Sequence, residues 1–251
     1  MTTGEFDLHA TDSPEGCARK PWAQRALARW SEFPVDRLPR PLVLVSPRVF
    51  SERGFASGAA KRAFLHGHLE IRTRVPDEVL GQLLAGATPD PEPGPLEPLV
   101  ITAATSASTR FATDRGEREL PAWRLESPAA LGPIWVLDPE VQPAEWRPPS
   151  PTPGSDQPGG PPFNQMFAEL APDELTVTLH FIGGNPAFVR YPRAEVTESR
   201  QAVALIEIKE DFGPDGPRTA EGYERVVTGR LQAPLGARVL VDLHGNAREV
   251  R

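Results

Sequence analysis

The chain has five histidines in 251 residues, so the run His66-Gly67-His68-Leu69-Glu70 is the first place to look for chemistry. In extended backbone, residues 66, 68 and 70 point to one side. Two imidazoles beside a carboxylate are donors that zinc or iron accepts. A His66/His68 metal site is therefore one form a hydrolase could take here. The competing reading is local. Gly67 falls at a helix-to-strand junction, and no second His, Asp or Glu group is tied to the pair by spacing. A solvated junction accounts for the same residues, and the expectation is no metal site.

Other combinations are weaker. Ser106, His180 and Asp242 supply the residue types of a serine–histidine–acid triad, but no serine sits in a G-x-S-x-G elbow. Glu198, Glu207 and Asp242 lie in or beside strand-like runs and would make an acid/base pair if they met in a cleft. Pairing with Arg190, Arg225 or Arg238 across a sheet is the ordinary outcome. Gly183-Gly184 and Gly159-Gly160 have the backbone for an anion nest, yet neither belongs to a P-loop or dinucleotide pattern. They read as a tight turn and a linker. Cys17 has no local histidine or helix terminus to lower its pKa. No catalytic, cofactor-binding or metal-binding residue is assigned, and no cofactor is expected.

The elements that would position these residues follow from periodicity. Residues 1–20 are polar and aperiodic and read as disordered. A short helix fits Pro21 to Trp30, with Trp22, Leu27 and Trp30 available for docking. Pro41 to Val45 reads as a buried or edge strand. Ser57 to Leu65 is the best helix, with Ser57 as N-cap and Gly67 just beyond its end. Leu69 to Val75 alternates as a half-buried strand, and Asp77 to Leu84 makes one or two helical turns capped by Asp77. After a proline-rich connector at 89–98 the pattern becomes a meander. Leu99 to Thr102 is a strand, 109–113 and 119–125 flank a hairpin at Asp114-Arg115-Gly116, and Pro133 to Leu137 is apolar on both faces, hence central. Nine prolines in 139–162 mark an exposed, semi-rigid loop. Strands resume at Leu175 to Phe181, with 175, 177, 179 and 181 on one face. Further strands are 188–196, 202–208, 223–231 and 238–243.

Composition sets the outer bounds. Thirty prolines and 21 glycines break helix interiors, so short strands should dominate. The net charge of −7 disfavours nucleic-acid binding. Residues 18–74 nevertheless carry 12 Lys and Arg against 4 Asp and Glu. Either this stretch lies against the acidic remainder and is neutralised, or it presents a basic face to an acidic partner. A single cysteine fits a reducing compartment. The polar N-terminus does not read as a signal peptide, and no run approaches the ~20 apolar residues of a membrane span. The chain reads as cytoplasmic, with neither nucleic acid nor membrane as partner.

Several phrases resemble a family of uncharacterised proteins from high-GC actinobacteria. They are Thr113-Asp114-Arg115-Gly116, Leu120 to Arg124, Pro133 to Leu137, Phe181-Ile182-Gly183-Gly184, Tyr191, Glu198-Ser199, Gly222-Tyr223-Glu224-Arg225, and Pro234 to Asp242. The resemblance spans about residues 38–251 and implies no function. The resembling proteins are often secreted or lipid-anchored and often carry a cysteine pair, features this chain lacks. The positions matching that pair are Ala187 and one of Arg218, Thr219 and Ala220. The resemblance implies that these two places lie within disulfide reach of each other.

The reading is a mainly β protein, an antiparallel β-sandwich-like assembly with one or two short helices in the N-terminal third. Residues 1–37 form a disordered or loosely docked segment. Residues 38–251 form a single β-rich domain interrupted by the Pro/Gly-rich loop at 139–162. The favoured function is non-catalytic binding or interaction, with a protein as candidate partner. The alternative is a hydrolase using dispersed carboxylates or the His66/His68 site.

Overall fold

A computed structural model of the protein describes residues 14–87, 97–149, 166–212 and 221–251. Strands account for 43% and helices for 16%, so the protein is mainly β, as its proline content and period-two runs require. The order is α1 (Pro14–Ala28), β1 (Val49–Ser51), α2 (Gly58–Leu65), β2 (Leu69–Ile71), α3 (Asp77–Ala85), β3 (Leu99–Ile101), β4 (Ala103–Thr113), β5 (Gly116–Glu126) and β6 (Ile134–Leu137). A 3-10 turn (Pro139–Ala144) follows. Then come β7 (Phe167–Leu170), β8 (Thr176–Gly183), β9 (Val189–Glu198), β10 (Ala202–Asp211), β11 (Tyr223–Arg230), β12 (Val239–Val241) and β13 (Glu249–Val250).

The N-terminal region has an antiparallel sheet, β1-β6-β5-β4, covered by helices and by the two-stranded sheet β2-β3. β6 pairs on both sides and is buried throughout, which explains its unbroken apolar run. α2 and α3 lay Ala63, Phe64, Val79 and Leu83 against Leu125, Ile134 and Val136 of the sheet, with Leu99 and Ile101 of β3 completing this core. α2 starts where Ser57 accepts a hydrogen bond from Ala60 N–H. It ends at Gly67, whose φ of +68° needs a residue without Cβ. The cap of α3 is Pro76, one residue before the expected Asp77, and no side chain bonds there. Asp77 and Glu78 instead place negative charge in the first turn, which the helix dipole favours.

The C-terminal region packs two sheets face to face, β11-β8-β7-β13 on β12-β10-β9. Val177, Leu179 and Phe181 of one meet Val203, Leu205 and Leu240 of the other. The opposite face of β10 is covered by α1. Ala202, Ala204 and Ile206 pack with Ala23, Ala26, Leu27, Trp30 and Phe33. Being covered on both faces, residues 202–206 are all buried, and a continuous apolar run replaces alternation there.

Several expectations need correction. Residues 14–20 belong to α1 rather than to a disordered tail, and Cys17 lies within that helix. Ala23, Ala26, Leu27, Trp30 and Phe33 belong to the core, with Trp30 and Phe33 almost fully buried, so residues 23–33 are docked firmly rather than loosely. Trp22 is exposed. Residues 41–45 form two isolated bridges, Leu42 to Glu145 and Leu44 to Thr113, instead of a strand. The first part of the 139–162 loop is packed, because Glu145 and Trp146 fold inward and Trp146 N–H donates to Leu42 O. The assembly is antiparallel, as expected, apart from three short parallel pairings, β10–β12, β2–β3 and β7–β13. Positions 1–13, 88–96, 150–165 and 213–220 lie outside the described residues. So do Gly159-Gly160, the rest of the proline-rich loop, and the proposed partner positions of Ala187.

The β4–β5 hairpin tip joins the two regions. Asp114 is buried and bonded by two nitrogens of Arg40, whose Nε reaches Ala237 O. Arg115 donates to Gly236 O and Arg238 O, each at 2.6 Å. Burial lowers the Arg115 pKa from its ordinary value. The Thr113–Gly116 phrase is thus a docking device between regions. Arg40 with Asp114 and Arg48 with Glu145 also show the basic stretch meeting acidic groups from outside it. Among the described residues, no helix is long and apolar enough to cross a membrane.

Candidate functional site

A cleft of about 440 Å³ opens where α1, α3, the 43–49 segment, the 145–148 segment and the 245–247 turn converge. Apolar side chains line about half of it: Trp30, Val43, Val49, Phe64, Leu83 and Trp146. Trp30 and Trp146 lie with ring centroids 4.9 Å apart, and the Trp30 indole N–H donates to Gly245 O at 2.9 Å. Gly245 has a φ of +77°, and a Cβ there would approach Ala26 O to 3.1 Å. The turn therefore closes on α1 only because that residue is glycine.

Polar groups line the remainder. Glu145 has a side chain only 1% exposed and is held by two arginines. Arg48 donates Nε and Nη2 to Glu145 Oε2 at 2.9 and 2.7 Å, and Arg147 Nε donates to Oε1 at 2.5 Å. A buried carboxylate is tolerable only with such partners. Arg29 extends Nη1 to His244 O at 2.7 Å, while its buried Nε has no protein partner. The Gln82 amide is the sharper anomaly. Both its Oε1 and its Nε2 are buried and neither has a protein hydrogen bond. Leaving such groups unmet costs about 1–3 kcal/mol each, so native structures usually satisfy them with a water or a bound group. With Arg29, Arg48 and Arg147 against the single carboxylate of Glu145, the lining is net cationic. Such a site can hold an acidic group beside an amide that both donates and accepts.

Among the described residues, none of the catalytic or metal candidates singled out from the sequence lines this cleft. His66 is the C-cap of α2 and His68 is exposed. Glu70 takes a 2.7 Å hydrogen bond from Arg72 Nε, which lowers its pKa. Among the described residues, no three His, Cys, Asp or Glu side chains gather as metal ligands. Ser106 is on β4, His180 on β8 and Asp242 in the turn after β12, so they belong to separate elements. His180 stacks on Phe167 and sits 3.3 Å from Glu169 Oε2. Asp242 accepts from the backbone of His244 and Asn246 and shapes their turn. Glu198 takes the ordinary route, paired with Arg238 at 2.6 Å. Burial alone would raise its pKa, but hydrogen bonds from Gln232 N–H and Arg238 bring it below the usual carboxylate value. Glu207 lies on β10 opposite Ala194. Arg190 pairs with Glu210, and Arg225 donates to Val189 O. Gly183 is the last residue of β8, paired with Tyr223, and the turn expected at Gly183-Gly184 falls just beyond it at 185–188, while Gly184 N–H donates to the Tyr191 hydroxyl.

One signal for the missed site was present in the sequence. Helical spacing puts Gln82 on the stripe of Val79 and Leu83, a polar residue where an apolar one belongs. Compared with known proteins, the chain matches no family model, no curated protein and no solved structure.

Proposed function

We propose that the protein is a non-catalytic binding protein whose cleft takes a small ligand carrying an acidic group on an apolar body. The observation that carries this reading is the buried, unbonded Gln82 amide in a cleft walled by tryptophans and arginines. Clefts of a few hundred Å³ with apolar walls and a few convergent polar groups are the usual form of small-molecule sites. The cleft lining contains no histidine, and its one serine, Ser46, donates its hydroxyl to Ala112 O at 3.3 Å. A nucleophile with an adjacent base, which covalent hydrolysis requires, is not assembled there. The hydrolase alternative loses support because Glu198 and Asp242 are engaged in ion-pair and turn roles. A reducing, cytoplasmic setting belongs to the same proposal and is supported by the single cysteine.

Thermal unfolding with benzoate, indole-3-acetate and phenyl phosphate, against benzyl alcohol and indole, tests this. The acids should raise the Tm and the neutral compounds should not, since ligands that bind only the folded state stabilise it by mass action. Gln82→Met removes the unmet amide at similar volume. It should raise the Tm of the free protein and abolish the ligand shift. A panel with no acid-selective shift, or a shift unchanged in Gln82→Met, overturns the reading.

A further inference from the structure

We propose that β4 is the site at which two copies of this chain pair edge to edge, forming a twofold dimer centred on Ala107. The proposal stands independently of the cleft. β4 is the terminal strand of its sheet and runs for 11 residues, Ala103–Thr113. Thr105, Ser106, Ala107 and Ser108 are all exposed. Among the described residues, only the far end of its free side is covered, where Val45 and Ser46 N–H donate to Ala112 O.

That bond also fixes which backbone groups face outward. Antiparallel strands alternate between residues that bond one neighbour and residues that bond the other. Ala112 faces away from β5, so Arg110, Ser108, Ser106 and Ala104 do as well. Pro121 confirms the parity independently. It stands opposite Ser108 within β5, a place where a residue without an N–H is tolerated only if no donor to β4 is needed. Its carbonyl accepts from Asp138 on the other side.

The outward groups of β4 match their own copy. Thr105-Ser106-Ala107-Ser108-Thr109 reads the same in both directions. Antiparallel pairing about Ala107 sets Ser106 opposite Ser108 of the second copy and Ala104 opposite Arg110. Every outward residue then meets an outward residue, and no two arginines face each other. An isologous contact requires this self-complementarity.

The other edges carry devices that deter pairing, and β4 does not. β9 contains Pro192 with Arg190, Arg193 and Glu195, β11 contains Glu224, Arg225 and Arg230, and β1, β2, β3, β12 and β13 are two or three residues long. Proline, charge and shortness are the usual protections of an edge. β4 has one charge, Arg110, at the end of the exposed stretch.

Cysteine scanning in a Cys17→Ser background of the full chain tests the register. Ala107 would face its own copy in a non-hydrogen-bonded pair at about 4.5 Å between α-carbons, within disulfide range. Ala107→Cys should therefore oxidise to a covalent dimer. Thr105→Cys should not cross-link to itself, because its own copy is displaced by four residues, about 13 Å. Mixed with Thr109→Cys, it should cross-link. Sedimentation of the unaltered protein should give twice the chain mass at high concentration. Ser106→Pro, which removes an outward donor, should give one chain mass with unchanged circular dichroism. If Ser106→Pro alters the fold, the cysteine pattern decides alone. A single-chain mass at every concentration, or Ala107→Cys cross-linking no better than Thr105→Cys, overturns the proposal.

Discussion

The two regions bury similar apolar residues by different means. In the N-terminal region, helices α2 and α3 cover one sheet. In the C-terminal region, one sheet covers another. Two sheets meet along flat, interdigitating faces. Helices are cylinders, and where several converge with turns they leave gaps between them. The cleft lies in such a place, bounded by the C-terminal end of α1, by α3 and by three connecting segments. The comparison teaches that the sandwich supplies rigidity while the helical cover supplies concavity.

Truncating one core leucine in each region tests that difference most strongly. Leu179 is fully buried between the two sheets, and Leu83 is buried on α3 at the cleft wall. Leu→Ala substitutions in cores cost about 2–5 kcal/mol, depending on how far the site relaxes. Leu179→Ala should fall near the top of that range, because two sheets cannot close around a void. Leu83→Ala should fall near the bottom, because its void merges with the cleft. Urea denaturation measures both, and equal losses would break the comparison.

A smaller effect is expected at Glu198, which fastens the end of β9 to the 232–238 loop. Its carboxylate accepts from Gln232 N–H and Arg238, and Arg238 also donates to Ala233 O and Pro234 O. Hydrogen bonds to charged groups contribute about 1.5–3 kcal/mol, and Glu198→Gln should lose part of this at neutral pH. The sign of the pH dependence follows from the lowered pKa. A carboxylate whose folded pKa lies below its unfolded value stabilises the fold above the unfolded pKa, and that contribution vanishes as pH falls through the folded one. Denaturation midpoints of the protein and of Glu198→Gln should therefore converge in acid. A constant gap would remove the assigned ion pair.

The smallest effect sharpens the helical side. Ser57→Ala removes the acceptor for Ala60 N–H, at a cost of about 1 kcal/mol typical of N-caps. Ser57→Asp should restore the stability, because aspartate caps equally well. Loss without rescue would mean that Ser57 acts by some other contact.

Legibility in the sequence followed the range of the interaction. The Ser57 cap, Gly67, the 113–116 hairpin, the alternating face of 175–181 and the central position of β6 were all readable. Each depends on neighbours within a few residues, through dihedral preference or side-chain period. The 41–45 run was misread as a strand because apolarity reports burial but not ladder pairing. The extent of α1 was missed because Pro21 interrupts a segment with weak amphipathic character, and its apolar side is matched by β10 and β12, far along the chain. The candidate site was almost wholly illegible. Arg29, Gln82 and Glu145 come from distant segments, and only Gln82 is out of place on its own helix.

The sequence by itself determined the β-rich class, most element positions and the hairpin that locks the regions together. These follow from local backbone preferences and from the alternation of side chains along a strand. The tertiary structure alone decided the parallel partners of β2, β7 and β10, the inward turn of Glu145 and Trp146, and the convergence of three arginines and an amide on one cleft. Those depend on which surfaces meet after loops of dozens of residues have closed. Loop closure costs little more for a long loop than for a short one, so chain separation leaves almost no trace of which distant partners will pair.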